Sequence, residues 1–186
     1  MEGGTDLRSI FETRNIAFIG ASFDVRKWGF KIIHHIVKRG YSGGIFPINP
    51  RGGQWFGRKV YASLDEIDEP IDLAVIVVAD SLVLDTVKRC TAKRISAGIV
   101  ITAGFSETGQ AGASLEREIV AAARTGGMRL VGPNTMGVYS GYPTIMHAVS
   151  YTHLRAHETV LDLVCRLQLG KKKNTYKTTR LLTRST

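Results

Sequence analysis

The stretch that decides the fold is Asn15-Ile16-Ala17-Phe18-Ile19-Gly20-Ala21-Ser22. Here an apolar run rich in β-branched and aromatic residues ends in three small residues, and an amphipathic helical pattern follows. Such a pattern is typical of a buried parallel strand whose C-terminal end, together with the positive N-terminus of the next helix, receives an anionic ligand. The next glycine after Gly20 is Gly29, so the full G-x-G-x-x-G spacing is missing. A tight strand-to-helix turn without a ligand therefore stays open as an alternative.

Strand and helix patterns alternate through the first 140 residues. Several of the strand patterns are almost wholly apolar, as expected of strands that are covered on both faces. The predicted strands are 15–20, 44–49, 72–78, 97–102 and 128–132. This alternation predicts an α/β fold, Rossmann-like and doubly wound, with a mainly parallel sheet of five or slightly more strands and helices on both faces.

Three helices are predicted between these strands, together with one irregular excursion. The first helix carries a stripe through Trp28, Ile32 and Ile36 and ends at Gly40 in a left-handed conformation. The excursion, residues 51–64, predicts a loop or short hairpin before a brief helix at 63–67. The second helix starts near Asp80, the predicted N-cap, and runs to about Arg94. The third helix has Glu116 and Glu118 near its start and stops at Gly126-Gly127. Its apolar positions are Leu115, Ile119 and Ala122. Trp55, Phe56 and Tyr61 of the excursion are expected to pack onto the sheet edge.

Composition excludes several classes of protein. With 186 residues, 44% of them hydrophobic and 22% charged, the chain suits one globular domain. The longest apolar run, Leu73 to Ala79, is too short to cross a bilayer, and residues 1–6 contain no secretory signal pattern. Two cysteines, Cys90 and Cys165, make a disulfide framework or metal site implausible, and Cys90 is expected to be a buried apolar residue. We therefore expect a cytoplasmic protein without a membrane partner.

The net charge of +9 does not predict nucleic-acid binding, because most of it lies at one end of the chain. Residues 150–186 hold eight Lys or Arg and two Asp or Glu, whereas the first 149 residues hold seventeen and fourteen. The body of the chain lacks a basic face with interleaved aromatic residues, so we expect no nucleic-acid partner.

The predicted strand ends carry an ordered set of short motifs. In chain order they are Gly20-Ala21-Ser22, Asn49-Pro50-Arg51, Thr102-Ala103-Gly104-Phe105-Ser106-Glu107 and Gly132-Pro133-Asn134. This set resembles the coenzyme A (CoA)-binding domain of the NDP-forming acyl-CoA synthetases, a family that includes the ADP-forming acetyl-CoA synthetases and, more distantly, the alpha subunits of succinyl-CoA synthetase. The resemblance covers roughly residues 10–149.

The end of the second strand agrees with that resemblance on physical grounds. NAD-binding folds usually place an acidic residue there to hold the ribose hydroxyls, whereas this chain has Asn49-Pro50-Arg51. An arginine suits a phosphate on the ribose, as in CoA or NADP. The sequence therefore disfavours NAD, leaves NADP open and fits CoA, with Arg51 as an ordinary solvated residue as the alternative.

The resemblance implies a role for each matching position. Gly20, Ala21 and Ser22 would line the pyrophosphate or pantetheine path of CoA. Arg26 or Lys27, which precede Gly29, would contact a phosphate, and a solvated position for either is the alternative. The other implied contacts are Asn49, Pro50 and Arg51 at the adenosine end, Val78 and Ala79 beneath the adenine, and Ile101, Thr102, Ala103 and Gly104 along the pantetheine arm. Glu107 is either a polar ligand contact or a helix-dipole partner. No catalytic residue and no metal ligand is assigned, because the family's phosphohistidine belongs to a domain with no match here.

Two domain assignments follow. Residues 1–149 are expected to form the CoA-binding Rossmann-like domain. Residues 150–186, beginning Ser150-Tyr151-Thr152-His153-Leu154, look like a translated library adapter followed by out-of-frame reading, and we expect a non-native, disordered tail.

The resemblance implies that the parent protein is a ligase that makes an acyl-CoA, with acetyl-CoA as the first expectation. Its substrates would be a carboxylic acid, CoA and ATP, and its intermediates an acyl phosphate and a phosphohistidine. ATP, ADP and Mg²⁺ would be used by further synthetase domains or a beta subunit, which are the expected partners. The alternatives are a stand-alone regulatory module that binds CoA or a related nucleotide and an NADP-binding oxidoreductase domain.

Overall fold

Five parallel strands form the central sheet, and the three longest of the described helices lie in the connections between them. The computed structural model describes residues 8–38, 40–139 and 146–147, all within the unit Met1–Thr152. Along the chain the elements are α1 (Arg8–Phe11), β1 (Asn15–Ile19), α2 (Trp28–Lys38), β2 (Gly44–Ile48), β3 (Gly53–Trp55), β4 (Arg58–Val60), β5 (Leu73–Ile76), α3 (Asp80–Ala92), β6 (Ala97–Val100), α4 (Gln110–Thr125), β7 (Arg129–Val131), β8 (Val138–Tyr139) and β9 (Met146–His147). Short 3-10 helices occupy Leu64–Glu66 and Ser106–Thr108. The expectations for residues 150–186 lie outside the described residues.

The strand order is β2-β1-β5-β6-β7, with every neighbouring pair parallel. The register pairs Phe18 with Pro47 on one side and with Val75 on the other. The chain moves outward from β1 to β2 in one direction and then from β5 through β7 in the other. The predicted doubly wound α/β fold is confirmed, and its topological switch point lies between β1 and β5.

Side-chain alternation along the strands sends residues to two cores. Phe18 and Val75 pack on the face covered by α2, against Ile33 among others. Ala17 and Ile76 pack on the opposite face, against α3 and α4, where Val87 and Ile119 are fully buried. This period of two explains why the strand patterns are apolar at nearly every position, because both faces of the sheet are covered.

The helices begin and end close to the predicted positions, with two differences. Gly40 follows α2 with φ +79°, as predicted. The prediction of Asp80 as an N-cap is wrong, because Ala79 is the N-cap residue and the Asp80 carboxylate accepts from the neighbouring Ser81 N–H at 2.8 Å. Glu116 is not near the start of its helix, because α4 already begins at Gln110.

The excursion after β2 is the predicted short hairpin, formed by β3 and β4, and Tyr61 bridges back to Ile48. Trp55 is only 3% exposed and packs in the core beside α2, as expected. Phe56 departs from the expectation, because it lies at the hairpin turn and is 71% exposed.

Among the described residues, no helix is long and apolar enough to cross a membrane. The same part of the chain contains no group of three His, Cys, Asp or Glu side chains placed to hold a metal ion.

Candidate functional site

The predicted ligand-binding segments follow the carboxyl ends of β1, β2, β5 and β6, which share one edge of the sheet. The helix α2 covers one face of the sheet, and α3 and α4 cover the other. In open α/β sheets of this topology, ligands bind outside the strand ends at the switch point. The fold therefore gathers these sequence-predicted segments along a single edge.

Gly20 and Gly29 bring the end of β1 and the start of α2 into close backbone contact. The Gly20 and Ala21 N–H groups both donate to the Ile48 carbonyl, at 3.1 and 3.0 Å. A Cβ on Gly20, whose φ is +97°, would overlap the Val77 carbonyl, and a Cβ on Gly29 would overlap the Gly20 carbonyl. These glycines are therefore required for packing within the domain, and they set how closely α2 approaches the strand ends.

The loop between β1 and α2 has its own hydrogen-bond network. Ser22 Oγ accepts from the Asp24 N–H at 3.1 Å, and both Asp24 carboxylate oxygens accept from the Arg26 guanidinium at 3.0 Å. The Arg26 side chain and backbone N–H lower the pKa of Asp24, and the carboxylate raises the pKa of Arg26. Of the two cations that sequence reasoning left open for phosphate contact, Arg26 is held by Asp24, whereas Lys27 is exposed directly before α2.

Asn49 ties the end of β2 to the end of β1. Its Nδ2 donates to the Ala21 carbonyl at 2.6 Å, and its Oδ1 accepts from the Arg51 N–H at 2.9 Å. The Asn49 side chain is therefore committed inside the domain, and Pro50 and Arg51 are exposed. Among these residues the ionisable side chain is basic, so the β2 end presents positive charge where an NAD-binding fold presents a carboxylate.

The ends of β5 and β6 are joined in a similar way. Thr102 Oγ1 donates to the Val78 carbonyl at 2.7 Å, and Ile101 N–H donates to the Ile76 carbonyl at 3.0 Å. Ala79 and Ala103 are exposed at this edge. The Thr102 hydroxyl, like the Asn49 amide, fixes the shape of the edge.

Gly104 continues the edge beyond β6 in a conformation that side chains rarely adopt. Its φ is +113°, and a Cβ there would meet the Asp80 carboxylate at 3.0 Å. The Gly104 N–H donates to Glu107 Oε1 at 2.7 Å, and Asn134 Nδ2 donates to the same oxygen at 3.1 Å. Sequence reasoning did not foresee this link, because residue 107 and residue 134 meet only when β6 and β7 are neighbours.

The edge has the dimensions of a site for a long ligand. Arg51 follows β2 and Gly104 follows β6, and these strands are three inter-strand gaps apart, or about 14 Å. A ligand that contacts both residues must be extended and carry negative charge at one end. The exposed cation, the glycines and the small residues between them fit CoA in both respects.

The sequence assigned no catalytic residue to this edge. Cys90 is a fully buried residue of α3, and burial raises the pKa of its thiol to about 12. His34 and His35 lie within α2, and His34 stacks on Phe30 with ring centroids 5.8 Å apart. The arrangement suits binding of an extended anion.

Comparison with known proteins agrees with this geometry. The family described as CoA binding domain matches residues 14–141. The ADP-forming acetate–CoA ligase II of Archaeoglobus fulgidus is 38% identical over 133 residues, which make up 72% of this chain and 20% of that ligase. The alpha subunit of ADP-forming acetate–CoA ligase II of Pyrococcus furiosus is 39% identical over 136 residues, 73% of this chain and 29% of the subunit.

A solved structure shows the same similarity in three dimensions. The apo form of the dinucleotide forming acetyl-coenzyme A synthetase 1 of Ca. Korarchaeum cryptofilum superposes with a TM-score of 0.73 at 34% identity, covering 77% of this chain and 31% of that one. The chain thus spans less than a third of the length of each of these relatives.

Proposed function

Because the chain belongs to the CoA binding domain family, we propose that it binds CoA at the carboxyl edge of its sheet as one domain of an ADP-forming acyl-CoA synthetase. The support is the agreement between the family match, the relatives' activities and a basic strand end at Arg51. In this proposal, the acyl group is bound at a site built largely by the other synthetase domains.

We place the nucleotide end of CoA at the end of β2. Arg51 meets the ribose 3′-phosphate, because its guanidinium is exposed and its backbone is held by Asn49 Oδ1 at 2.9 Å. Lys27 and the first turn of α2 face the pyrophosphate, since a helix N-terminus favours negative charge. Val78 and Ala79, which follow β5, lie beneath the adenine.

The pantetheine arm then runs along the edge toward β6. Ile101, Thr102 and Ala103 flank it, and Gly104 allows it to pass close to the backbone. The bottom of this path is formed by tightly packed small residues, Gly20, Ala21 and Gly29. Ser22 and Pro50 complete the rim at the β1 and β2 ends.

The whole synthetase joins a carboxylic acid to CoA, with acetate as the first acid to test. ATP phosphorylates a histidine of another domain, that phosphoryl group passes to the carboxylate, and the CoA sulfur attacks the acyl carbon as phosphate leaves. ADP and phosphate are released, and Mg²⁺ accompanies ATP in further domains or a beta subunit. This domain orients the CoA thiol, which lowers the entropic cost of its attack on the acyl phosphate.

The observation that carries the proposal is the exposed arginine at the end of β2, and its removal provides the test. We expect Arg51→Ala to lower the affinity for CoA about tenfold, the effect of losing one charge-assisted contact at an exposed site. Its effect on dephospho-CoA should be small, because that ligand lacks the 3′-phosphate. Arg117→Ala, at an exposed arginine of α4, is the control. Equal losses for the two ligands in the Arg51 variant would contradict this placement.

A further inference from the structure

Glu107 joins two segments that follow different strands. It lies in the 3-10 helix Ser106–Thr108, between β6 and α4, and its side chain is exposed. One carboxylate oxygen, Oε1, accepts from the Gly104 N–H at 2.7 Å and from Asn134 Nδ2 at 3.1 Å. The Gly104 N–H is the largest of the causes that lower the pKa of this carboxyl, which is therefore ionised at neutral pH.

Asn134 provides the other half of the link. Its backbone N–H donates to the Thr102 carbonyl at 2.9 Å, and its φ of +55° lies in the left-handed region, which asparagine tolerates better than most residues. Thr102 in turn donates its hydroxyl to the Val78 carbonyl at 2.7 Å. A continuous series of hydrogen bonds therefore runs from the end of β5 through Thr102 and Asn134 to Glu107 and back to Gly104.

We propose that Glu107 is a positioning residue for the pantetheine arm of CoA, because its carboxylate fixes the Thr102–Gly104 segment against the segment that follows β7. This inference rests on the proposed function, which places the arm beside Gly104. Without the carboxylate, the Gly104 N–H becomes solvated and the segment loses its link to Asn134, so the arm must order the segment when it binds.

The exposure of Glu107 separates this role from a general structural one. An exposed side chain on a surface loop contributes little to folding, so its removal should leave the thermal midpoint near that of the wild type. Its effect should appear only with ligands that reach β6. Adenosine 3′,5′-bisphosphate, which has the nucleotide end of CoA and lacks the pantetheine arm, is the discriminating probe.

The experiment compares both ligands on the full chain by calorimetry. We expect Glu107→Ala to weaken CoA about tenfold, because the arm must then order the segment that the carboxylate otherwise holds, and to leave adenosine 3′,5′-bisphosphate unchanged. Glu107→Gln keeps an oxygen that accepts both N–H bonds, so it should restore most of the CoA affinity. Glu118→Ala, at an exposed glutamate of α4, is the matched control.

A second variant tests the link itself. Asn134→Ala should weaken CoA in the same selective way, and the double variant with Glu107→Ala should lose less than the sum of the two single losses. Unchanged CoA affinity in Glu107→Ala, or equal losses for both ligands, would overturn the inference. Failure of the wild-type chain to bind CoA at all would instead overturn the proposed function.

Discussion

Replacing Asn49 by alanine tests whether one side chain holds the nucleotide end of the site together. The change removes two hydrogen bonds, from Nδ2 to the Ala21 carbonyl at 2.6 Å and from the Arg51 N–H to Oδ1 at 2.9 Å. A typical intramolecular hydrogen bond contributes about 1 kcal/mol, so we expect Asn49→Ala to lower the free energy of unfolding by about 2 kcal/mol.

That loss corresponds to a clear shift in the thermal midpoint. For a unit of about 150 residues, 1 kcal/mol moves the midpoint by about 3–4 °C, so the variant should melt about 6–8 °C below the wild type. Urea denaturation should show a lower midpoint with an unchanged slope, because the same surface becomes exposed on unfolding. CoA affinity should also fall, since the Arg51 backbone is no longer held.

Two further variants at amide side chains make this prediction specific. Asn49→Asp keeps an acceptor for Arg51 but directs a carboxylate oxygen at the Ala21 carbonyl, so at neutral pH it should be at least as destabilising as the alanine variant. Gln54→Ala, at an exposed amide of β3, should change stability by less than about 0.5 kcal/mol. If Asn49→Ala melts within about 2 °C of the wild type, the link between the β1 and β2 ends is not energetically important and the reasoning is refuted.

Three other predictions follow from the same structure. Gly29→Ala should destabilise the domain by about 1–3 kcal/mol, because its Cβ would overlap the Gly20 carbonyl, and a normal urea midpoint would contradict that packing. In a Cys165→Ser chain, Cys90 should resist Ellman's reagent until denaturant is added. A pKa of about 12 leaves only about one thiol in ten thousand ionised at pH 8. Rapid labelling of the native chain would show instead that the thiol is accessible. Deleting residues 150–186 should leave the melting temperature and CoA affinity unchanged and raise solubility, and a much earlier melt would show that this segment completes the core.

The fold was predictable because local patterns and tertiary structure agree along most of the chain. The apolar run ending at Gly20 is a strand covered on both faces, and Gly40 adopts the left-handed conformation that ends α2. The errors concern the exact start of a helix and the exposure of single side chains. Asp80 resembles an N-cap in sequence, yet α3 already begins at Asp80 and the N-cap residue is Ala79, whose side chain makes no capping hydrogen bond.

The site was predictable as a set of strand ends but not as a set of contacts. Parallel topology alone brings the ends of β1, β2, β5 and β6 to one edge, so residue positions follow from the order of motifs. Whether a polar side chain faces a ligand or its own backbone depends on the pairing of distant segments. Asn49 and Thr102 donate to backbone carbonyls 28 and 24 residues away in the chain, and Glu107 accepts from Asn134, 27 residues away.

The most direct test is whether the end of β2 selects ligands with a 3′-phosphate. Calorimetry on the full chain would compare the binding of CoA, dephospho-CoA and NAD. Arg51 is exposed beside Asn49, where an NAD-binding fold has an acidic residue, so CoA should bind most tightly. The difference between CoA and dephospho-CoA should shrink as salt is raised, because exposed charge pairs are screened. Tighter binding of NAD than of CoA would contradict the account.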